Sequence, residues 1–351
     1  MNKFVCLVIL FFAISSYAQE EEYGIYAQTG LEYDSNVLKT FNQNKGDFLA
    51  RILLHAEGSL VNTQKTNLRL SYNGGGKKFF ESSEQNMMIH SLGIPIAIKL
   101  NPNHGIYFRT FLKYQNENND KDADNLDVNE DFFSIRQLIA WNIMLKTKHR
   151  FKLSGDIGYF HFFPFDPFSF YSETVTLEYR YQLQSKIWLS TQYGLNFQQF
   201  QSSDRADTEH EFSAGIHSFM IPYISLKYQF EINRSSVDLY DSTNHRITLL
   251  ISHLMGKRNQ NDDSALFSVH FLSTLQLRNF PSVTAFTAEG TRYLVTGAED
   301  QNFNHVTLKL SFHPQKHWAI ETKYSRFSNE LSSEDGDFSR NLYYFGFRYA
   351  I

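Results

Sequence analysis

Basic side chains recur along this chain at Arg51, Arg69, Arg109, Lys113, Arg136, Lys152, Arg180, Lys227, Arg246, Arg278, Lys309, Lys323 and Arg348. Each lies in a stretch where polar and apolar residues alternate, so in a strand each would fall on the polar face. Acids of the same phase are fewer: Glu32, Glu57, Asp156, Glu178, Glu211, Glu231 and Glu321. Guanidinium and ammonium groups gathered on one enclosed wall concentrate anions. The same residues could instead form a hydrogen-bonded ladder that fills an interior, and inward Tyr107, Gln192, Asn196 and Gln198 suit sugar or water equally well. A second candidate chemistry is metal binding in the acidic segment 116–131. There Asp120, Asp122 and Asp124 have the alternate-residue spacing that lets hard oxygen ligands converge on Ca²⁺, with Asp131 at the twelfth position. Asn125 stands where a calcium loop has its turn glycine, and Asp131 replaces the usual bidentate Glu; a solvated acidic loop is the competing reading. Catalysis finds little support. Ser268 and His270 share a strand face, yet no pattern approaches a nucleophile with its base and orienting group, and the chain is expected not to be an enzyme.

The elements that must position these groups are read from period two. Clear alternating segments are 48–60, 133–145, 171–183, 187–199, 223–233, 246–255, 267–279 and 305–312, separated by turn-forming residues. In Thr174-Val175-Thr176-Leu177-Glu178-Tyr179-Arg180-Tyr181 every odd position is apolar or aromatic and every even one polar, a pattern that no helix and no strand buried on both faces selects. The gaps alternate in length. Tight turns at 62–65, 101–104, 146–149, 184–186, 221–222 and 314–317 take turns with long polar stretches at 34–47, 116–131, 202–209, 233–244, 280–301 and 328–338. That rhythm predicts an all-β fold: a transmembrane antiparallel up-and-down β-barrel of about 16 strands, with short periplasmic turns and long extracellular loops. Segment 256–264 is long for a periplasmic turn and leaves about 14 strands as the alternative. Proline cannot donate to a sheet ladder, and all but Pro95 fall in or beside the gaps; Pro95 lies inside the strand expected over 88–100 and calls for a bulge or local distortion. Two aromatic segments stand out. Loop 280–301 is apolar enough to fold inward or dock a partner, and 160–170 suits an interface belt.

Composition agrees with strands that are apolar on one face only. Mean hydropathy is −0.39 while aromatic residues make up 16%. Residues 1–19 have a charged start, a short apolar core and the small-x-small site Ser16-Tyr17-Ala18, the features of a secretory signal peptide, which leaves 20–351 as the barrel. The only cysteine, Cys6, falls inside that signal, so thiol, disulfide and thiolate-metal chemistry are not expected of the mature chain. A net charge of −4 argues against nucleic acid as a partner. The final residues Tyr343-Tyr344-Phe345-Gly346-Phe347-Arg348-Tyr349-Ala350-Ile351 place large apolar groups at every second position. This ending resembles the terminal recognition strand of Gram-negative outer-membrane proteins, which implies porin-like placement in the bacterial outer membrane, with barrel assembly machinery and outer-membrane lipid as partners.

A shorter resemblance lies at 30–37. Gly30-Leu31-Glu32-Tyr33-Asp34-Ser35-Asn36-Val37 resembles a stretch near the start of several outer-membrane barrel families, among them the barrel of surface lipoprotein assembly modifiers and barrels associated with polysaccharide export. The assembly modifiers also carry an amino-terminal helical-repeat domain, and here the first strand is expected within a few residues of the signal. No cofactor is expected beyond the Ca²⁺ of the acidic loop. The functional expectation is a channel or transport barrel passing small hydrophilic solutes, anions among them; the alternative is a non-conducting barrel that serves as scaffold or component of a secretion or surface-assembly system.

Overall fold

A computed structural model of the protein describes residues 23–37, 45–117, 131–163, 169–201, 204–237, 240–259, 262–279, 304–328 and 339–351. Strands follow one another as β1 (Tyr23–Asp34), β2 (Asp47–Asn62), β3 (Thr66–Phe79), β4 (Met87–Asn101), β5 (His104–Glu117), β6 (Phe132–Leu145), β7 (His149–Phe162) and β8 (Phe170–Gln184). They continue as β9 (Ile187–Phe200), β10 (Ala206–Ser218), β11 (Tyr223–Ser235), β12 (Ser242–Asn259), β13 (Asp262–Asn279), β14 (Asn304–Gln315), β15 (Trp318–Ser328) and β16 (Ser339–Ala350). Every strand pairs antiparallel with its sequence neighbours, and β1 pairs with β16 from Tyr26↔Ala350 to Asp34↔Leu342, closing the barrel. Closure leaves no sheet edge, which is the condition for strands to cross lipid.

Alternation decides the two faces. Leu31, Ile52, Ile139, Ile157, Leu177, Leu275 and Phe345 are exposed on the outer wall. Glu32, Ser134, Ser154, Ser172, Gln276, Ser311 and Glu321 are buried on the inner one. A 14-residue strand such as β9 is about 46 Å long at the usual rise, and at a tilt near 45° it stands about 33 Å tall, enough to cross the roughly 25 Å apolar band of a barrel. Aromatic rings sit toward both rims: Trp318 against Tyr349 with centroids 4.7 Å apart at the end carrying the short turns, Tyr33 against Phe48 at 4.9 Å at the other. The protein is an outer-membrane barrel by its own geometry, with an apolar outer wall, closed ladder and polar interior.

The hairpin in doubt at 256–264 is a pair of strands, since β12 and β13 keep pairing as far as Asn259↔Asp262 past a register shift, and the count is sixteen. Pro95 causes no bulge. It keeps its place opposite Arg109 on β5, while on the β3 side the pairing lapses between Leu68↔Ile96 and Ser71↔Gly93 and resumes in the same register. A missing N–H costs the ladder a bond, and the neighbouring pairs hold the strand in place. The signal at 1–19, loop 280–301 and Asp120, Asp122 and Asp124 lie outside the described residues.

Candidate functional site: the charged inner wall

Opposite residues in an antiparallel ladder project to the same side, so the register places the basic residues directly. Arg51 lies opposite Gly30 and Lys77, Arg69 opposite Ser59, Arg109 opposite Leu138, and Lys113 opposite Ser91 and Ser134. Lys152 faces Asn142 and Glu178, Arg246 faces Gln229 and Gln276, Arg278 faces Asn244, and Lys309 faces Lys323, which in turn faces Tyr344. All fall on the side away from the exposed apolar residues.

Three clusters organise this wall. The first spans the closing seam. Glu32 on β1 takes Arg51 Nη1 and Lys77 Nζ at 3.0 Å each, one on each carboxylate oxygen. Glu321 on β15 takes Lys309 Nζ at 2.9 Å, Arg348 Nε at 3.3 Å and an amide hydrogen bond from Gln28 at 2.7 Å. Between them the Tyr344 ring, 4% exposed, has Arg51 at 5.7 Å and Lys323 at 6.0 Å from its centroid. The ring can lie there because Gly30 and Gly346 are opposite each other; a Cβ on Gly30 would come within 2.6 Å of the ring and 2.8 Å of the Gly346 Cα.

A second cluster sits on β9 to β13. Carboxylate oxygens of Glu209, Glu211 and Glu231 lie within 4.8 Å of one another, a geometry that could hold a cation. Two of them already accept amide hydrogen bonds: Gln192 donates to Glu211 at 3.1 Å, Gln229 donates to Glu231 at 2.5 Å, and Asn244 donates to Glu231 as well. Lys227 stands 3.8 Å from Glu211, and Arg246 and Arg278 each 3.7 Å from Glu231. These distances describe a balanced polar network. The third cluster, on β6 to β8, joins Arg136 to Asp156 through Nε at 3.0 Å and Nη2 at 2.9 Å and pairs Arg180 with Glu178.

Of the four candidate calcium ligands only Asp131 is described, and its carboxylate accepts a hydrogen bond from Asn116 at 2.8 Å. Ser268 and His270 each bond elsewhere, Ser268 to His313 at 3.3 Å and His270 to Ser252 at 2.9 Å. His217 links Ser190 and Ser225 at 2.9 and 2.8 Å. These hydroxyl–imidazole contacts lie within the paired strands, between neighbours in the ladder.

Several residues that matter here are absent from the sequence-derived set. Lys77 could have been found by carrying the phase of Arg69 through Ser71, Asn73 and Gly75, but a glycine run hides it. Arg340, whose Nε donates to both Asp34 oxygens at 2.8 Å, lies at the very start of β16. Around that pair Asn341 N–H donates to Ser35 Oγ at 2.9 Å, Asn36 N–H to Asp34 at 3.1 Å, and Val37 packs with Leu49 and Phe79. The stretch 34–37 is therefore a clasp at the extracellular end of the seam.

No protein-family model matches the sequence. No curated protein sequence matches it. Among solved structures, similarity extends over nearly the whole chain at low identity. A bacterial polysaccharide outer membrane secretin is 7% identical with a TM-score of 0.48, covering 93% of this chain and 98% of that one. An anion-selective porin from Comamonas acidovorans is 12% identical with a TM-score of 0.47, covering 95% and 99%. A triple mutant of the Rhodopseudomonas blastica porin is 8% identical with a TM-score of 0.42, covering 94% and 100%.

Proposed function

We propose that this barrel is an outer-membrane channel that passes small hydrophilic solutes and favours anions. One observation carries the reading: in the inner-wall ion pairs the acid is at the back and the base in front. Side-chain exposure is 0% for Glu32 against 23% for Arg51, 1% for Glu321 against 34% for Arg348, and 10% for Asp156 against 47% for Arg136. A solute therefore meets guanidinium and ammonium groups even where the charges balance. At short range in a confined, low-dielectric passage the nearer charge dominates the potential, so the passage is more comfortable for anions than for cations. Arg51, Arg69, Arg109, Lys113, Arg136, Arg180, Lys227, Arg246, Arg278, Lys309 and Arg348 are the residues assigned this role.

The test is the reversal potential of refolded protein in a planar bilayer under a KCl gradient. A potential set by chloride supports the reading. Potassium selectivity overturns the assignment of the basic lining, and a barrel that inserts without conducting favours the scaffold alternative.

A further inference from the structure

The inner wall also holds cations that belong to no ion pair, and four of them are gathered in one place. A cavity of about 710 Å³ opens at the end of the barrel that carries the short turns, bounded by 63–67, 97–99 and 101–107 and by residues of β6 to β8. Its basic residues are Lys65, Lys99, Arg150, Lys152 and Arg180, and its acid is Glu178, which pairs with Arg180. Among the described residues Lys65, Lys99, Arg150 and Lys152 have no carboxylate partner. Lys152 is directly opposite Glu178 in the ladder, yet Glu178 turns to Arg180. Arg150 is held by an aromatic face instead, its guanidinium carbon 4.4 Å from the centroid of Trp188, which orients it without neutralising it.

Uncompensated like charges brought together by folding repel one another, and that cost is unnecessary in a barrel that elsewhere sets its bases against buried acids such as Glu32, Glu231 and Glu321. Tyr107, Asn67, Asn101, Asn103 and Asn142 line the same cavity and add polar groups of the kind that fix a ligand's orientation. We infer that this vestibule is a binding site for multivalent anions bearing phosphate or carboxylate groups, placed at the periplasmic mouth. Multivalency follows from the arrangement, because the cations come from the β2–β3 turn, β4, β7 and β8 and converge on one space, where a single negative charge would neutralise only part of the cluster. The site deepens the anion-channel reading by giving the passage a stopping point at one end.

Calorimetric titration of the full-length refolded protein in detergent tests it, with inorganic pyrophosphate as the phosphate probe and citrate as the carboxylate probe. Saturable binding that weakens as salt is raised is expected for at least one of them, and the preferred probe names the group. The double variant Lys99→Gln/Lys152→Gln should bind at least tenfold more weakly, whereas Lys186→Gln, at an exposed lysine of the β8–β9 turn outside the cavity, should bind as wild type. No saturable binding of either probe, or equal loss in the Lys186 variant, overturns the site. Bilayer conductance separates this result from the channel reading: a conducting, chloride-selective pore that binds neither probe loses the vestibule alone, and a protein that binds but does not conduct loses the channel alone.

Discussion

The seam and the periplasmic vestibule are both rich in Lys and Arg, yet they use them in opposite ways. At the seam, buried Glu321 is bridged by Lys309 and Arg348 from the strands on either side and buried Glu32 by Arg51 and Lys77 from β2 and β3, so the basic residues tie β14 to β16 and β1 to β3 on the two flanks of the closure. In the vestibule the cations stand at turns and strand ends, next to bulk water, with Glu178 taken by Arg180. A paired cation covering a buried carboxylate contributes to stability mainly because its removal strands the acid; an unpaired one at a wet rim contributes little or is slightly unfavourable. The same residue type is structural in one region and available to a ligand in the other, and what separates them is the carboxylate behind it.

The largest effect should come from stripping Glu32 of both bridges. Arg51→Met/Lys77→Met leaves a buried carboxylate with no direct cation, and unfolding stability in urea, followed by tryptophan fluorescence in detergent or vesicles, should fall by about 4 kcal/mol. Adding Glu32→Gln should restore roughly half, about 2 kcal/mol, because the stranded charge is the larger part of the loss. If the double variant is as stable as wild type, the seam pairs are decorative and the contrast with the vestibule fails. The extracellular clasp comes next. Arg340→Met removes the guanidinium that donates twice to buried Asp34, while the Asn36 N–H still reaches that carboxylate, so a smaller loss of about 2 kcal/mol is expected in the same assay.

Strand number, direction and facing were readable because each depends on residues near in sequence. Alternation within Thr174–Tyr181 and the short-long rhythm of the gaps are enough to place β8 and to count hairpins. Which charges meet is another matter. Arg348 and Lys309 share Glu321 only because Gly346 lies opposite Glu321 and Lys309 opposite Lys323, registers that follow from turn lengths and a bulge near Pro314 that no single strand reveals. Lys65, Lys99 and Arg150 escaped notice for a related reason: at turns and strand ends the alternating signal fades, and the cavity that collects them is made by strands distant in sequence. Segment 34–37 shows the reverse case, where a resemblance to barrel starts was legible and its physical meaning was not. Asp34, Ser35, Asn36 and Val37 bond and pack across the seam to residues some three hundred positions later or onto the β2–β3 wall, and those partners appear only once the barrel closes.

The smallest expected stability change is the sharpest test of the contrast. Lys99→Gln and Lys152→Gln each remove a cation that covers no carboxylate, and each should leave the urea midpoint within about 0.5 kcal/mol of wild type, with a slight gain where relief of repulsion outweighs lost solvation. Chloride selectivity should nevertheless fall in both, because the charge removed is one that a solute meets at the mouth. Arg150→Gln adds an optical check, since it uncovers Trp188 and should shift that residue's fluorescence without moving the midpoint. A vestibule variant that destabilises the barrel by as much as the seam variants would mean that these lysines are held by partners after all, and the distinction between structural and available cations would then have to be drawn elsewhere on the wall.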